Sequence, residues 1–126
     1  PTGRRLHCTA TGKLFLAHMP EAQAVAIMRK VGFLKRTPRT IDSMELLLEE
    51  LRRVREQGYA LSEGEQAEGM LGMGAPVFDY MGHLIAVIAM GLPAERGTGE
   101  RRAFLLEQLM STAHAISLQL GYGTAR

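Results

Sequence analysis

The stretch Gly58–Pro93, GYALSEGEQAEGMLGMGAPVFDYMGHLIAVIAMGLP, decides the fold because it predicts three β-strands. Tyr59–Leu61 predicts a short strand, and the acidic, glycine-containing loop after it leads to a second strand over Met73–Phe78. A four-residue turn ending in glycine then joins that strand to a third, His83–Gly91, so the pair predicts an antiparallel hairpin. The interior of the third strand, LIAVIAM, is apolar almost throughout, and such a strand is expected to be buried on both faces.

The first two predicted helices lie near the start of the chain. Thr9 or Thr11 is placed to cap a short helix through LFLAH, and Gly12 in its first turn would let another group approach the backbone closely. Unpaired N–H groups at such a helix start attract carboxylates or phosphates. Pro20 suits the first turn of a second helix, which Gly32 ends.

The third and fourth helices flank the sheet region. Asp42, with Glu45 three residues later, has capping-box spacing and predicts the start of the third helix, which Gly58 ends. Glu49 and Arg53 are spaced to pair on its exposed side. A long final helix is predicted from Thr98 or Gly99 to about residue 120. The apolar stripes are Leu47, Leu51 and Val54 in the third helix and Leu105, Leu109, Ala113, Ile116 and Leu120 in the fourth.

Length and composition indicate one folded domain of 126 residues with a core and without wholesale disorder. The net charge is +2 with the signs interspersed, so nucleic-acid binding by this segment is not favoured. No run reaches the length of a membrane-spanning helix. The single cysteine, Cys8, excludes an internal disulfide and fits the reducing cytoplasm. A chain that begins at Pro1 without methionine is expected to be a piece of a longer protein.

No catalytic set, cofactor or metal site is predicted. His7 and Cys8 are adjacent, and adjacent residues on a strand point to opposite faces, so a small semi-buried cysteine is favoured over a nucleophile. The four histidines lack metal-ligand spacing. Three further features have structural interpretations. The acids of the loop form a solvated edge, the glycines mark a bulge or room for another group against the sheet, and the methionines fill the core, although methionines also line adaptable ligand pockets. These residues are Glu63, Glu65 and Glu68; Gly69, Gly72 and Gly74; and Met70, Met73, Met81 and Met90.

Two segments together resemble a known family. LHCTATGKLFLAHMP and the stretch quoted first, with its G-Y-A, E-G and A-P-V-F-D elements, are similar in order and spacing to the effector domain of IclR-type bacterial transcription regulators. The resemblance extends from about Leu6 to Leu120 and includes T-P-R-T-I and E-L-x-x-V-R-E-Q-G-Y.

The resemblance implies a GAF-like α+β fold with an antiparallel sheet flanked by helices. Residues 1–126 would be a partial effector-binding domain, without its early strands and without the DNA-binding domain that precedes it in the family. Its partners would be a small organic effector, either an acid or an aromatic compound, and further copies of itself in a dimer or tetramer. DNA would be contacted only through the N-terminal domain, and the protein would be cytoplasmic and not an enzyme.

The resemblance also implies a ligand pocket. Its backbone amides would come from Ala10 and Thr11, and family members place polar side chains at positions matching Ser62, Gly72, Ala89 and Gly91. Because only Ser62 is polar here, a larger, flatter or more apolar effector than a compact hydroxy- or keto-acid is expected. Met70 is included as a pocket residue, with Met73 and Met90 nearby in sequence.

Two other hypotheses remain open. The chain could be a structural oligomerisation module with a degenerate pocket, which an exposed apolar stripe on the final helix would support. The third hypothesis, ranked last, is a thiol hydrolase that uses Cys8.

Overall fold

The computed structural model describes residues 5–123, so residues 1–4 and 124–126 of the predicted domain lie outside the described part. Four α-helices and one three-stranded antiparallel sheet occur in this part, which confirms the α+β prediction. The chain order is α1 (Ala10–Ala17), α2 (Glu21–Val31), α3 (Met44–Gln57), β1 (Ala60–Glu63), β2 (Met70–Phe78), β3 (Leu84–Pro93) and α4 (Gly99–Gln119), with a 3₁₀ turn at Ala94–Arg96.

The helix ends follow local chemistry. Of the two predicted caps of α1, Thr9 is the one that serves, because its Oγ1 accepts a hydrogen bond from the Gly12 N–H at 3.0 Å. The predicted cap of α3 is wrong by one residue: Ser43, not Asp42, accepts the Leu46 N–H at 3.2 Å. Gly58 ends α3 with a left-handed φ of 84°, as predicted.

The strands pair in the order β1-β2-β3, with β2 in the centre. Ala60 lies opposite Gly74, and Gly72 lies opposite Gly91. The predicted bounds are corrected: β1 starts one residue later and ends two residues later, β2 starts three residues earlier, and β3 starts one residue later and extends to Pro93. In the β2–β3 turn, Asp79 Oδ1 accepts the N–H groups of residues 81 and 83 at 2.9 and 3.0 Å, which fixes the hairpin.

The prediction that the third strand is buried on both faces is wrong. No residue of β3 is fully buried, and no strand pairs with its outer edge among residues 5–123. The strand that is covered on both faces is β2, between α1 and α4. An apolar run shows that a strand can be buried but does not show which strand occupies the centre of the sheet.

Helices cover both faces of the sheet. Leu14 and Ala10 of α1 pack over Gly74, where an added Cβ would lie 3.0 and 3.2 Å from them, so a glycine lets this helix sit close to the sheet. Neighbouring Ala75 faces the other way and joins the cluster with α4. One core therefore lies among α1, α2 and α3, and a second lies between β2 and α4.

The helix faces agree with the predicted stripes in part. The predicted apolar stripe of α3 is fully buried. Arg53, however, pairs with Glu50 one turn away rather than with Glu49. In α4, Leu120 is exposed and Ser117 is buried in its place. Ser117 is tolerated there because its Oγ donates to the Ala113 carbonyl and accepts the Phe78 N–H, each at 2.9 Å.

Candidate ligand-binding site

One open cleft of about 440 Å³ lies between the start of α1, the end of β1 and the β2–β3 hairpin. We call it the helix-start cleft. The structure brings all seven predicted site residues to it, although they come from four separate elements of the chain. They are Ala10, Thr11, Ser62, Met70, Gly72, Ala89 and Gly91, and the further lining residues are Thr9, Gln66, Ala67, Leu71, Met73 and Met90.

Two glycines at paired positions leave space in the sheet beneath this cleft. A Cβ added at Gly72 would come no closer than 3.5 Å to another atom, and one added at Gly91 no closer than 3.9 Å. Both distances are ordinary van der Waals contacts, so neither glycine is required by the fold itself. This agrees with the prediction that Gly72 and Gly91 leave volume rather than hydrogen bonds.

The start of α1 offers two backbone donors. The Thr9 cap uses the Gly12 N–H, whereas the N–H groups of Ala10 and Thr11 have no hydrogen-bond partner among residues 5–123. Such donors, at the positive end of a helix, favour a carboxylate or another anionic oxygen. The predicted close approach to Gly12 does occur, but the approaching group is the chain itself, because an added Cβ would lie 2.4 Å from the Leu6 carbonyl oxygen.

Ser62 lines the cleft, but its hydroxyl proton is already used. Ser62 Oγ donates to the Cys8 carbonyl oxygen at 2.6 Å, and the residue is buried. It can therefore accept a hydrogen bond from a ligand but cannot donate one without breaking this contact. Of the four positions at which family members place polar side chains, only Ser62 is polar here, and it acts mainly as a tie between β1 and the segment before α1.

The loop 64–69 borders the cleft through Gln66 and Ala67, which sequence reasoning missed as site residues. Gly64 and Gly69 bound the loop with φ values of 67° and 76°, a conformation that glycine adopts easily. In the sequence, these two glycines are the signal that could have indicated a loop folding back beside the cleft. Gln66 adds a carboxamide that can donate and accept, so it is the polar side chain of the cleft with the most freedom to contact a ligand.

A buried ion cluster fixes the base of this loop. Lys13 Nζ donates to Glu50 Oε2 at 2.8 Å, to Glu65 Oε2 at 3.0 Å and to the Leu61 carbonyl at 2.7 Å, and the lysine is fully buried. The prediction that Glu65 belongs to a solvated edge is therefore wrong. Its carboxylate faces inward to the ammonium, whereas Glu68 is exposed as predicted.

Two threonines hold the same loop from the other side. Thr37 Oγ1 donates to the Gly64 carbonyl and Thr40 Oγ1 donates to the Glu65 carbonyl, each at 2.6 Å. Glu63, at the end of β1, pairs with Arg102 of α4. The wall of the cleft is thus anchored to α1, α3, α4 and the α2–α3 connector.

Methionines shape the rim of the cleft. Met73 is buried as core filler, as predicted, but Met70 and Met90 are 42% and 38% exposed and border the opening. Met81 is exposed in the hairpin turn. The cleft lining contains no charged side chain, so an anionic group could be held there only by amides and polar side chains. Flexible thioethers beside such donors suit an apolar ligand body.

The histidine and cysteine before α1 do not form a nucleophile–base pair. His7 Nε2 lies 2.8 Å from the Leu34 carbonyl oxygen and its ring contacts Phe33 edge-on. Cys8 is fully buried, and burial raises the pKa of its thiol, which keeps it protonated at neutral pH. Among residues 5–123 no three His, Cys, Asp or Glu side chains are grouped to hold a metal ion.

Comparison with known proteins identifies the family. The sequence model of the family described as bacterial transcriptional regulator IclR, C-terminal domain, matches residues 2–118 of this chain. The HTH-type transcriptional regulator KdgR of Escherichia coli K12 is 40% identical over 122 residues, which are 95% of this chain and 46% of KdgR. The chain therefore spans less than half the length of this relative. The relatives are transcriptional regulators, not enzymes, which argues against the thiol hydrolase hypothesis.

Solved structures agree with the sequence match. The C-terminal domain of Escherichia coli KdgR superposes with a TM-score of 0.86 at 39% identity, covering 93% of this chain and 71% of that one. The inducer-binding domain of PobR from Acinetobacter, in a double mutant complexed with 3-hydroxybenzoic acid, gives a TM-score of 0.81 at 28% identity, covering 89% and 65%. No helix within residues 5–123 is long and apolar enough to cross a membrane. The chain belongs to the IclR-type bacterial transcriptional regulators and corresponds to their C-terminal domain.

Proposed function

We propose that this domain senses a small organic effector in the helix-start cleft. The observation that carries the proposal is the pairing of two unpartnered amides, at Ala10 and Thr11, with a sheet surface in which Gly72 and Gly91 leave room for a ligand. Backbone donors at a helix start hold an anionic oxygen, and the open floor receives the rest of the molecule.

The chemistry of the lining favours a monocarboxylate with an apolar or aromatic body. Beyond the two amides, the side chains available for hydrogen bonding are few: Thr9 and Ser62 already donate to carbonyls, which leaves Thr11 and Gln66. A compact hydroxy- or keto-acid would bury polar oxygens without enough donors, which costs binding free energy. The complex of PobR with 3-hydroxybenzoic acid is a precedent for an aromatic acid in a related domain.

The proposed consequence of binding is a shift between arrangements of the whole regulator. The effector must bind one conformation or oligomer better than another, since equal affinity would change nothing. DNA would be contacted through a separate N-terminal domain, and the cytoplasm is the compartment where the regulator would meet DNA.

We also propose that further strands of the domain precede these residues and pair with the free edge of β3. Ile85 on β3 is half exposed, and the KdgR domain contains residues that this chain does not cover.

The test is the thermal midpoint of the full-length protein with a panel of aliphatic and aromatic carboxylates. Binding to the native state raises the midpoint by mass action. We expect one chemical class to raise it more in the wild type than in Gly91→Val, whose side chain enters the cleft from an unstrained strand position. Ile85→Val is the matched control, because it changes the same strand outside the cleft. An equal shift in wild type and Gly91→Val would place the ligand elsewhere.

One observation favours the second candidate, a structural oligomerisation module. Phe104 and Leu118 are 60% and 50% exposed on α4, which is the exposed apolar surface that such a module needs. If this candidate is right, no carboxylate changes the thermal midpoint, and sedimentation of the full-length protein should show an oligomer in the absence of ligand. Replacing Phe104 and Leu118 by serine would then dissociate it.

A further inference from the structure

A second cleft lies where β2 continues past the beginning of β1. The β1 pairing starts at Ala60 opposite Gly74, so Ala75–Phe78 has no strand on that side within residues 5–123. Two features make this free edge stable: the Phe78 N–H donates to Ser117 Oγ at 2.9 Å, and Pro76 has no N–H to leave unpaired. The result is a cleft of about 460 Å³ bordered by the C-terminal ends of α1, α3 and α4.

Three rings follow one another along this second cleft. The His18 ring meets Phe78 edge-on, with centroids 5.2 Å apart and an interplanar angle of 75°. Phe78 in turn stacks with Tyr122 at 5.0 Å and 29°. The rings belong to the end of α1, the end of β2 and the segment after α4. Offset and edge-on contacts of this kind extend readily to one more flat ring.

Three basic side chains line this cleft, those of Arg55, His18 and His114. Arg55 donates one guanidinium N–H to the Ala17 carbonyl at 3.0 Å, and no carboxylate lies within ion-pair distance of it in the described chain. His114 lines the opposite wall, and the lining includes no acidic residue. In addition, His18 Nε2 is shut off from solvent without a partner among residues 5–123. An exposed guanidinium with donors left over is suited to bind a planar carboxylate through two hydrogen bonds.

We propose that this second cleft is a separate binding site for a small aromatic carboxylate. Its carboxylate pairs with Arg55, and its ring packs against Phe78 and Tyr122. None of the residues that line it belongs to the helix-start cleft. The inference goes beyond the proposed function and does not depend on it, because the helix-start cleft could bind nothing and this site would remain.

The test uses benzoate as the probe and the full-length protein. The ring C–H resonances of His18 and His114 report on the second cleft, and we expect them to shift saturably in the wild type and equally in Gly91→Val. Arg55→Met should weaken binding at least tenfold, because it removes the charge-assisted hydrogen bonds. Arg52→Met is the matched control, since it removes an exposed guanidinium from the same helix but from outside the cleft, and it should bind as the wild type does.

A second variant guards against misfolding of the first. Tyr122→Leu removes a ring from the half-buried segment after α4, so it should weaken benzoate several-fold while leaving the thermal midpoint close to that of the wild type. The inference is overturned if millimolar benzoate leaves both histidines unshifted. It is also overturned if the shifts disappear in Gly91→Val, which would assign benzoate to the helix-start cleft, or if Arg55→Met binds benzoate as tightly as the wild type.

Discussion

Replacing Lys13 by methionine removes the cation that connects α1 to the wall of the helix-start cleft. The ammonium is fully buried and contacts Glu50, Glu65 and the Leu61 carbonyl at 2.7–3.0 Å. The two carboxylates are themselves only 16% and 12% exposed. Methionine fills a similar volume, so the change mainly leaves two carboxylates and one carbonyl without their donor.

The magnitude follows from which charges remain paired. Breaking a buried ion pair by removing one partner costs about 3–5 kcal/mol. Glu50 keeps its pairing with Arg53, so most of the cost arises at Glu65. A loss of this size is a large part of the ~5–15 kcal/mol that stabilises a typical domain. It should lower the thermal midpoint by roughly 10–20 °C in a chain of this length.

Urea unfolding at neutral pH measures this effect, with Lys35→Met as the control. The Lys35–Asp42 pair is about half exposed, with 49% for both side chains, and its removal should cost less than about 1 kcal/mol. Adding Glu65→Gln to Lys13→Met should recover part of the stability, because it removes the uncompensated charge. A loss below about 1 kcal/mol, or no recovery in the double variant, would refute the account of this cluster.

Three further predictions concern single residues. Gly12→Ala should destabilise the fold by about 1–3 kcal/mol in urea unfolding, because its Cβ would lie 2.4 Å from the Leu6 carbonyl oxygen. Gly91→Ala is the control, because the nearest atom to its Cβ would be 3.9 Å away. Equal losses of stability in the two variants would contradict the reasoning. Burial, and secondarily the Arg55 charge, lower the pKa of His18 from 6.5, so the folded state binds fewer protons than the unfolded state. The free energy of unfolding should therefore fall as the pH decreases below about 6.5. A pH dependence that is unchanged in His18→Gln would show that this residue is not responsible. Cys8, whose pKa is raised chiefly by burial, should react with a thiol reagent at pH 7.5 only after unfolding, and rapid labelling of the native protein would contradict its buried position.

Local rules predicted much of the fold. The Thr9 cap, the glycine that ends α3 and the hairpin turn each depend on a few consecutive residues, and the structure has all three. The Asp42 cap was displaced by one residue because Asp42 and Ser43 are both good caps and the local sequence does not rank them. Strand ends were also shifted, since pairing with a neighbour decides where a strand stops.

What the sequence could not reveal depends on contacts between distant residues. Lys13 looks like a surface lysine in a helix, and Glu65 looks like part of an acidic loop, yet 52 positions along the chain separate two groups that meet in the interior. The apolar run of β3 likewise carries no information about its place at the sheet edge. The cleft residues came from a resemblance to the family, and the structure adds Gln66 and the loop that only tertiary folding brings beside them.

The central claim is that the amides at the start of α1 receive an anionic group of the effector. The most direct measurement is the ¹H–¹⁵N shift of the Ala10 and Thr11 amides during titration of the full-length protein with a carboxylate that raises its thermal midpoint. The account predicts saturable shifts of both amides in the wild type and their loss in Gly91→Val. Unchanged Ala10 and Thr11 signals under saturating ligand would contradict it.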